Sequence, residues 1–81
     1  MPKIAIIGAG SVVFTRRLLQ DIVSTPSLAE AQISLMDLDS ERLNLIGRFA
    51  DRLVEDAGSG NTVVTTTDRA KALGDADYVI T

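Results

Sequence analysis

The sequence has no cysteine, no histidine and no tryptophan, and its aromatic residues are limited to one tyrosine and two phenylalanines. Without cysteine there is no disulfide framework, thiolate zinc site or thiol nucleophile; without histidine there is no imidazole base or metal ligand. Any such group that the protein uses lies outside this stretch. Clustered positive charge is missing too. Eight Lys and Arg are scattered among eleven Asp and Glu for a net charge of -3, with a pI near 4.6. Binding to nucleic acid requires a basic patch to neutralise phosphates, so nucleic acid is not expected as a partner. No apolar run approaches the ~20 residues of a membrane span, and the short run after Lys3 falls below the length of a signal-peptide core. No membrane partner is expected, and the cytoplasm is the expected compartment.

What is present favours a buried core. Apolar residues make up 46% of the chain and charged residues 23%, and the mean hydropathy is +0.21, above the range of disordered segments. At 81 residues, against ~100 to 150 for an ordinary domain, the chain is one small domain or a piece of a larger one. With few aromatics, aliphatic side chains must carry the packing.

Lys3-Ile-Ala-Ile-Ile7 is a short apolar, β-branched run that stops at Gly8, the pattern of a strand covered on both faces. Gly8-Ala9-Gly10 turns the chain, and Ser11 can cap the following helix. There, Phe14, Leu18 and Ile22, with Leu19 and Val23 beside them, form an apolar face that ends at Pro26. Arg17 and Asp21 have the i, i+4 spacing of a surface ion pair. A second strand, Ile33-Ser-Leu-Met36, ends at Asp37. Asp39 or Ser40 caps a long helix with Leu43, Ile46, Phe49, Ala50, Leu53, Val54 and Ala57 on one face, closed by Gly58 in a left-handed conformation. Ser59-Gly60-Asn61 is a loop and Thr62 to Thr67 a third strand. Asp68 opens a short helix ended by Gly74, and Tyr78 to Thr81 start a fourth strand in which Tyr78 reads as a core residue. The chain shows no internal repeat, low-complexity segment or dividing linker.

Strict alternation of strands and helices with short connections specifies parallel pairing through right-handed crossovers. The expected fold is α/β, a Rossmann-like doubly wound parallel sheet with strand order 3-2-1-4 and only its N-terminal half present. Residues 1–81 then form the first part of a nucleotide-binding domain, with the remainder and any catalytic domain lying downstream. Strand four would be an open edge, so the isolated chain is expected to associate or to bind cofactor weakly.

Gly8-x-Gly10 lies between a strand and a helix. There Gly8 permits the tight turn, Gly10 lets the backbone approach a pyrophosphate, and the helix start offers N–H groups and partial positive charge. Ser11 can add a hydroxyl to the phosphate. Val13 stands where the Gly-x-Gly-x-x-Gly fingerprint has its third glycine. Asp37, 27 residues after Gly10 at the end of strand two, is placed to accept both ribose hydroxyls of an adenosine. Its charge and that of Asp39 would repel a 2′-phosphate, and position 38 is Leu where NADP sites place an arginine nearby. NAD is therefore expected over NADP.

The segments Gly8-Ala-Gly-Ser-Val-Val-Phe14, Leu19-Gln-Asp-Ile22, Ser34-Leu-Met-Asp-Leu-Asp39 with Glu41-Arg-Leu43, and Ala76-Asp-Tyr-Val-Ile80 resemble the amino terminus of the NAD-dependent glycoside hydrolases of family 4. The likeness spans nearly the whole chain and leans toward the α-galactosidase, α-glucosidase and α-galacturonidase branch, where Gly-Ala-Gly-Ser precedes a Phe. Val13 fits that family. The resemblance implies hydrolysis of α-glycosides by redox-elimination: hydride abstraction at C3 of the sugar, elimination, then water addition and hydride return. It implies NAD and a divalent metal, usually Mn²⁺, held by a downstream Cys and His, with a Tyr as base. It also implies a small-molecule sugar substrate and a homo-oligomer at full length. No catalytic or metal-binding residue is expected within this fragment, which alone would be inactive. The cofactor-binding positions that carry over are Gly8, Ala9, Gly10, Ser11, Val12, Val13 and Asp37, with Thr67 near the adenine or ribose.

Two other readings share the half-fold. A malate- or lactate-type 2-hydroxy-acid dehydrogenase uses the same Gly-x-Gly turn and would show an Arg, Asp and His catalytic set downstream. A non-catalytic nucleotide-sensing module would be followed by no metal or substrate residues.

Overall fold

The computed structural model describes residues 2–81. Four strands, β1 (Lys3–Ile7), β2 (Gln32–Met36), β3 (Thr62–Thr66) and β4 (Tyr78–Ile80), alternate with three helices, α1 (Val12–Ser24), α2 (Ser40–Ala57) and α3 (Arg69–Leu73). A 3₁₀ turn over Pro26–Leu28 follows α1. All strand pairings are parallel and the order is β3-β2-β1-β4, the α/β doubly wound arrangement that the alternation predicts.

Register explains where the core lies. Ile4 pairs with Ile33 and Ile33 with Val63, and one repeat along, Ile6 pairs with Leu35. Alternate residues of a strand share a face, so this aliphatic row faces α1 and α2, where Leu19, Ile22, Leu43, Ile46 and Ala50 complete the buried cluster. On the opposite face the two central strands present Ala5 and Ser34, both buried, opposite α3 with its buried Ala72. Small residues there allow a short helix to lie close to the sheet.

Helix boundaries follow their capping chemistry. Asp39, rather than Ser40, is the N-cap of α2, its carboxylate accepting from the N–H groups of Glu41 and Arg42, and Gly58 closes the helix at φ +67°. Asp68 caps α3 in the same way through Ala70 and Lys71. Gly74 follows α3 without entering the left-handed region, and Lys3 Nζ donates to the carbonyls of Lys71 and Gly74. Strand β3 ends at Thr66, so Thr67 falls just beyond it. Asn61, in the loop before β3, is buried and donates to the carbonyls of Leu28 and Ala31.

Three expectations need correction. The inward stripe of α1 is Thr15, Leu19 and Ile22, while Phe14 is exposed. Threonine tolerates that position because its hydroxyl donates to the Ala9 carbonyl at 2.9 Å, which satisfies a buried polar group. Arg17 and Asp21 do not pair; the ion pair found among the described residues is Arg42 to Asp39, 3.5 Å apart and largely solvated. Arg16 instead lies over the Phe49 ring, 4.9 Å from its centroid. Tyr78 is not a core residue: it is 58% exposed, because β4 borders only β1 among the described strands.

Candidate functional site

The chain leaves β1 toward β2 on one side and reaches β4 on the other. The crevice at the carboxyl ends of the strands, where the direction of winding reverses, is where this architecture binds ligands. The cleft found at this end of the sheet lies beside that reversal, walled by the ends of β1, β2 and β3.

The turn after β1 is anchored through its backbone. Gly8 adopts φ +78°, a conformation costly for any residue with a Cβ. The N–H groups of Gly8 and Ala9 both donate to the Met36 carbonyl at 2.9 Å, and the Ser11 N–H donates to the Gly8 carbonyl at 3.2 Å. Gly10 donates to Asp37 Oδ2 at 2.8 Å. Thr15 fixes the turn from below through the Ala9 carbonyl, and Ala9 itself is buried.

Every N–H from Gly8 to Ser11 thus has an internal acceptor. The amides of Val12, Val13 and Phe14, the first three of α1, have no intrahelical acceptor by helix geometry. Ser11 occupies the N-cap position but its side chain makes no capping bond, and the first turn carries no acidic residue. The expected cap of α1 by the Ser11 side chain is thus not made. The Gly10 amide faces a carboxylate, and the anion-competent amides begin two residues later.

Asp37 sits at the end of β2 with both carboxylate oxygens engaged. Oδ2 accepts from Gly10 and Oδ1 from the Asp39 N–H, also at 2.8 Å. Those backbone N–H groups of Asp39 and Gly10, helped by the Arg42 guanidinium, hold the Asp37 carboxyl below the usual carboxylate range. Each oxygen keeps lone-pair capacity, so a ribose can still be accepted. The Asp37-to-Asp39 turn displays Leu38 outward, 83% exposed.

A cleft of about 630 Å³ opens beside this carboxylate, with Gly8, Met36, Asp37, Leu38, Thr67 and Arg69 among its lining residues. Of the residues expected from the sequence, the structure brings Gly8, Asp37 and Thr67 together in the cleft, with Ala9, Gly10 and Ser11 in the adjoining turn. The Val12 and Val13 side chains line shallow surfaces elsewhere on α1, and Val13 is 73% exposed. What these two can offer the site is backbone N–H.

Thr15 and Arg69 were not legible as site residues. Thr15 carried a signal, a polar residue in phase with Leu19 and Ile22. Arg69 carried only its place directly after a helix-capping Asp. No group of three or more His, Cys, Asp or Glu side chains among the described residues could hold a metal ion. No described helix is long and apolar enough to cross a membrane.

Residues 3–81 match the profile of the family 4 glycosyl hydrolases. The chain belongs to that family. Its relatives include an α-galactosidase of Rhizobium meliloti (strain 1021), 47% identical over 78 residues, which cover 96% of this chain and 16% of the relative. A probable 6-phospho-β-glucosidase of Bacillus subtilis (strain 168) is 39% identical over 82 residues, 98% of this chain and 18% of the relative. An α-galactosidase of the same organism is 34% identical over 80 residues, 99% and 18%. The chain therefore spans under a fifth of the length of these relatives.

Proposed function

We propose that this chain is the NAD-binding portion of a family 4 glycoside hydrolase that cleaves α-glycosides by redox-elimination. The observation that carries the reading is the pairing of an anchored glycine turn with the Asp37 carboxylate at the carboxyl ends of adjacent parallel strands, in a chain of this family. The residues fit a dinucleotide. Asp37 accepts the two hydroxyls of the adenosine ribose on its remaining lone pairs. The pyrophosphate lies at the start of α1, against the amides of Val12 to Phe14 and within reach of the Ser11 hydroxyl. Leu38, Thr67 and Arg69 border the adenine side of the cleft. When bound, NAD⁺ supplies a reversible hydride acceptor, which lets a sugar pass through a C3 ketone, lose its C2 proton and expel the glycosidic oxygen before water adds and the hydride returns.

The residues of this segment bind and orient the cofactor and perform no proton transfer. A divalent metal, expected to be Mn²⁺, and the base act from outside the segment. The α-galactosidase similarity at 47% supports the α-glycosidase branch. The full-length protein is expected to be a cytoplasmic homo-oligomer.

The test uses the full-length protein with an aryl α-galactoside, Mn²⁺ and NAD⁺. Hydrolysis is expected to require NAD⁺ without net NADH accumulation, and product formed in D₂O carries deuterium at C2. Stoichiometric NADH formation would instead mark a dehydrogenase, and nucleotide binding with no turnover a sensing module. In calorimetry, NAD⁺ is expected to bind at least tenfold more tightly than NADP⁺, because a 2′-phosphate meets the charges of Asp37 and Asp39; equal affinities overturn this assignment.

A further inference from the structure

The glycine at position 10 has a cause inside the protein. A Cβ built there would lie 2.7 Å from Asp37 Oδ2, 3.0 Å from Asp37 Cγ and 3.2 Å from Arg42 Cβ. Backbone freedom does not explain this glycine, since the described glycines with positive φ are Gly8 and Gly58. What any side chain at residue 10 meets is the carboxylate that accepts the Gly10 N–H.

We propose that Asp37 is a positioning residue for the glycine turn. Its carboxylate shapes the loop before a nucleotide arrives, and this carboxylate is what requires glycine at position 10. The proposal rests on Asp37 lying in the dinucleotide site as argued above and gives it a second task there. Oδ2 holds the turn, Oδ1 holds the Asp37-to-Asp39 bend, and the lone pairs that remain face the ribose. Ribose recognition and phosphate-loop geometry are then one mechanical unit. A change at Asp37 alters the loop even for a ligand that lacks a ribose.

The test is a double-mutant cycle on the full-length protein without nucleotide, read by denaturant unfolding. Gly10→Ala, Asp37→Ala and the double variant are compared with wild type. Gly10→Ala is expected to lower the folding equilibrium constant about tenfold more when Asp37 is present than when it is Ala. A smaller cost remains in the Asp37→Ala background, from the Arg42 Cβ contact. Equal costs in both backgrounds overturn the proposal.

Amide hydrogen exchange supplies a local readout. The peptide containing Gly10 is expected to lose protection in Asp37→Ala while peptides from α2 and β3 keep theirs; unchanged protection at Gly10 also overturns it. Should Asp37→Ala fail to fold, Asp37→Asn replaces it. Asn keeps the bulk, so Gly10→Ala remains costly, but it can accept only one of the two N–H groups, so protection at Gly10 or at Asp39 falls; retention of both contradicts the proposal. These measurements need no cofactor. A wild-type protein that shows this coupling yet binds no NAD⁺ would refute the functional reading and leave the positioning role standing.

Discussion

Helices α1 and α2 begin at the same end of the sheet, each directly after a buried central strand, and they begin differently. At α2 the Asp39 carboxylate accepts two of the exposed N–H groups, and Glu41 adds negative charge to the first turn. At α1 the corresponding residue is Ser11, whose hydroxyl bonds to none of them, and the first turn carries no acidic residue. The rest of the α1 entrance is tightly held, with the preceding turn anchored at Gly8, Ala9 and Gly10 to Met36 and Asp37. A loosely built helix start would leave its whole entrance ill-defined. Here the turn is hydrogen-bonded throughout and only the first amides of α1 are left without a partner of this kind, a difference that supports the proposal of α1 as the binding helix and α2 as scaffold.

The sharpest way to break that contrast is to make α1 resemble α2. Ser11→Asp places a carboxylate at its N-cap, which is expected to raise stability by about 0.5 to 1 kcal/mol and to weaken NAD⁺ binding by tenfold or more. Calorimetry and denaturant melts on one protein sample read both. If affinity is unchanged, the phosphates do not bind at α1. Next in size, Asp39→Ala is expected to cost about 1 kcal/mol in unfolding free energy, whereas Ser11→Ala stays within about 0.5 kcal/mol because no capping bond is lost. Comparable losses at both positions would erase the distinction.

The smallest effect is in the pH dependence. Asp37 has a lower pKa folded than unfolded. Its contribution to stability is complete above the unfolded carboxyl value of about 3.9 and is lost as pH falls through the lower folded value. Asp37→Asn should therefore flatten the acid limb of the stability curve below about pH 4, measured by urea unfolding between pH 2 and 7. A limb of unaltered slope would mean that the carboxylate gains nothing from its two N–H donors.

Much of the architecture was legible because it depends on neighbours in sequence. The apolar runs of β1 and β2, the Asp68 cap, the Gly58 closure and the strand order all follow from local pattern and crossover handedness. The errors share a cause. Thr15 points inward because the Ala9 carbonyl is within its reach, Phe14 is displaced outward by the same helical phase, and Arg16 finds Phe49 on another helix. None of these contacts is encoded by i, i+4 spacing. Tyr78 is exposed where the sequence predicts core, because an apolar run predicts a strand without saying whether that strand has a neighbour on its far side. Within the site, Asp37 was recognisable from its distance after Gly10, but its grip on the Gly10 amide exists only once β1 and β2 lie side by side.

That last dependence bears on how the protein folds. The glycine turn makes three of its hydrogen bonds to Met36 and Asp37, so a chain that has formed β1 and α1 alone keeps only the Ser11-to-Gly8 and Thr15-to-Ala9 bonds to shape it. Closing the intervening loop costs entropy that only the docked β1–β2 pair repays. The fully bonded glycine turn and the first parallel strand pair should thus appear in one kinetic step, and under the proposed function cofactor capture during refolding would be a direct clock for the closure of that crossover.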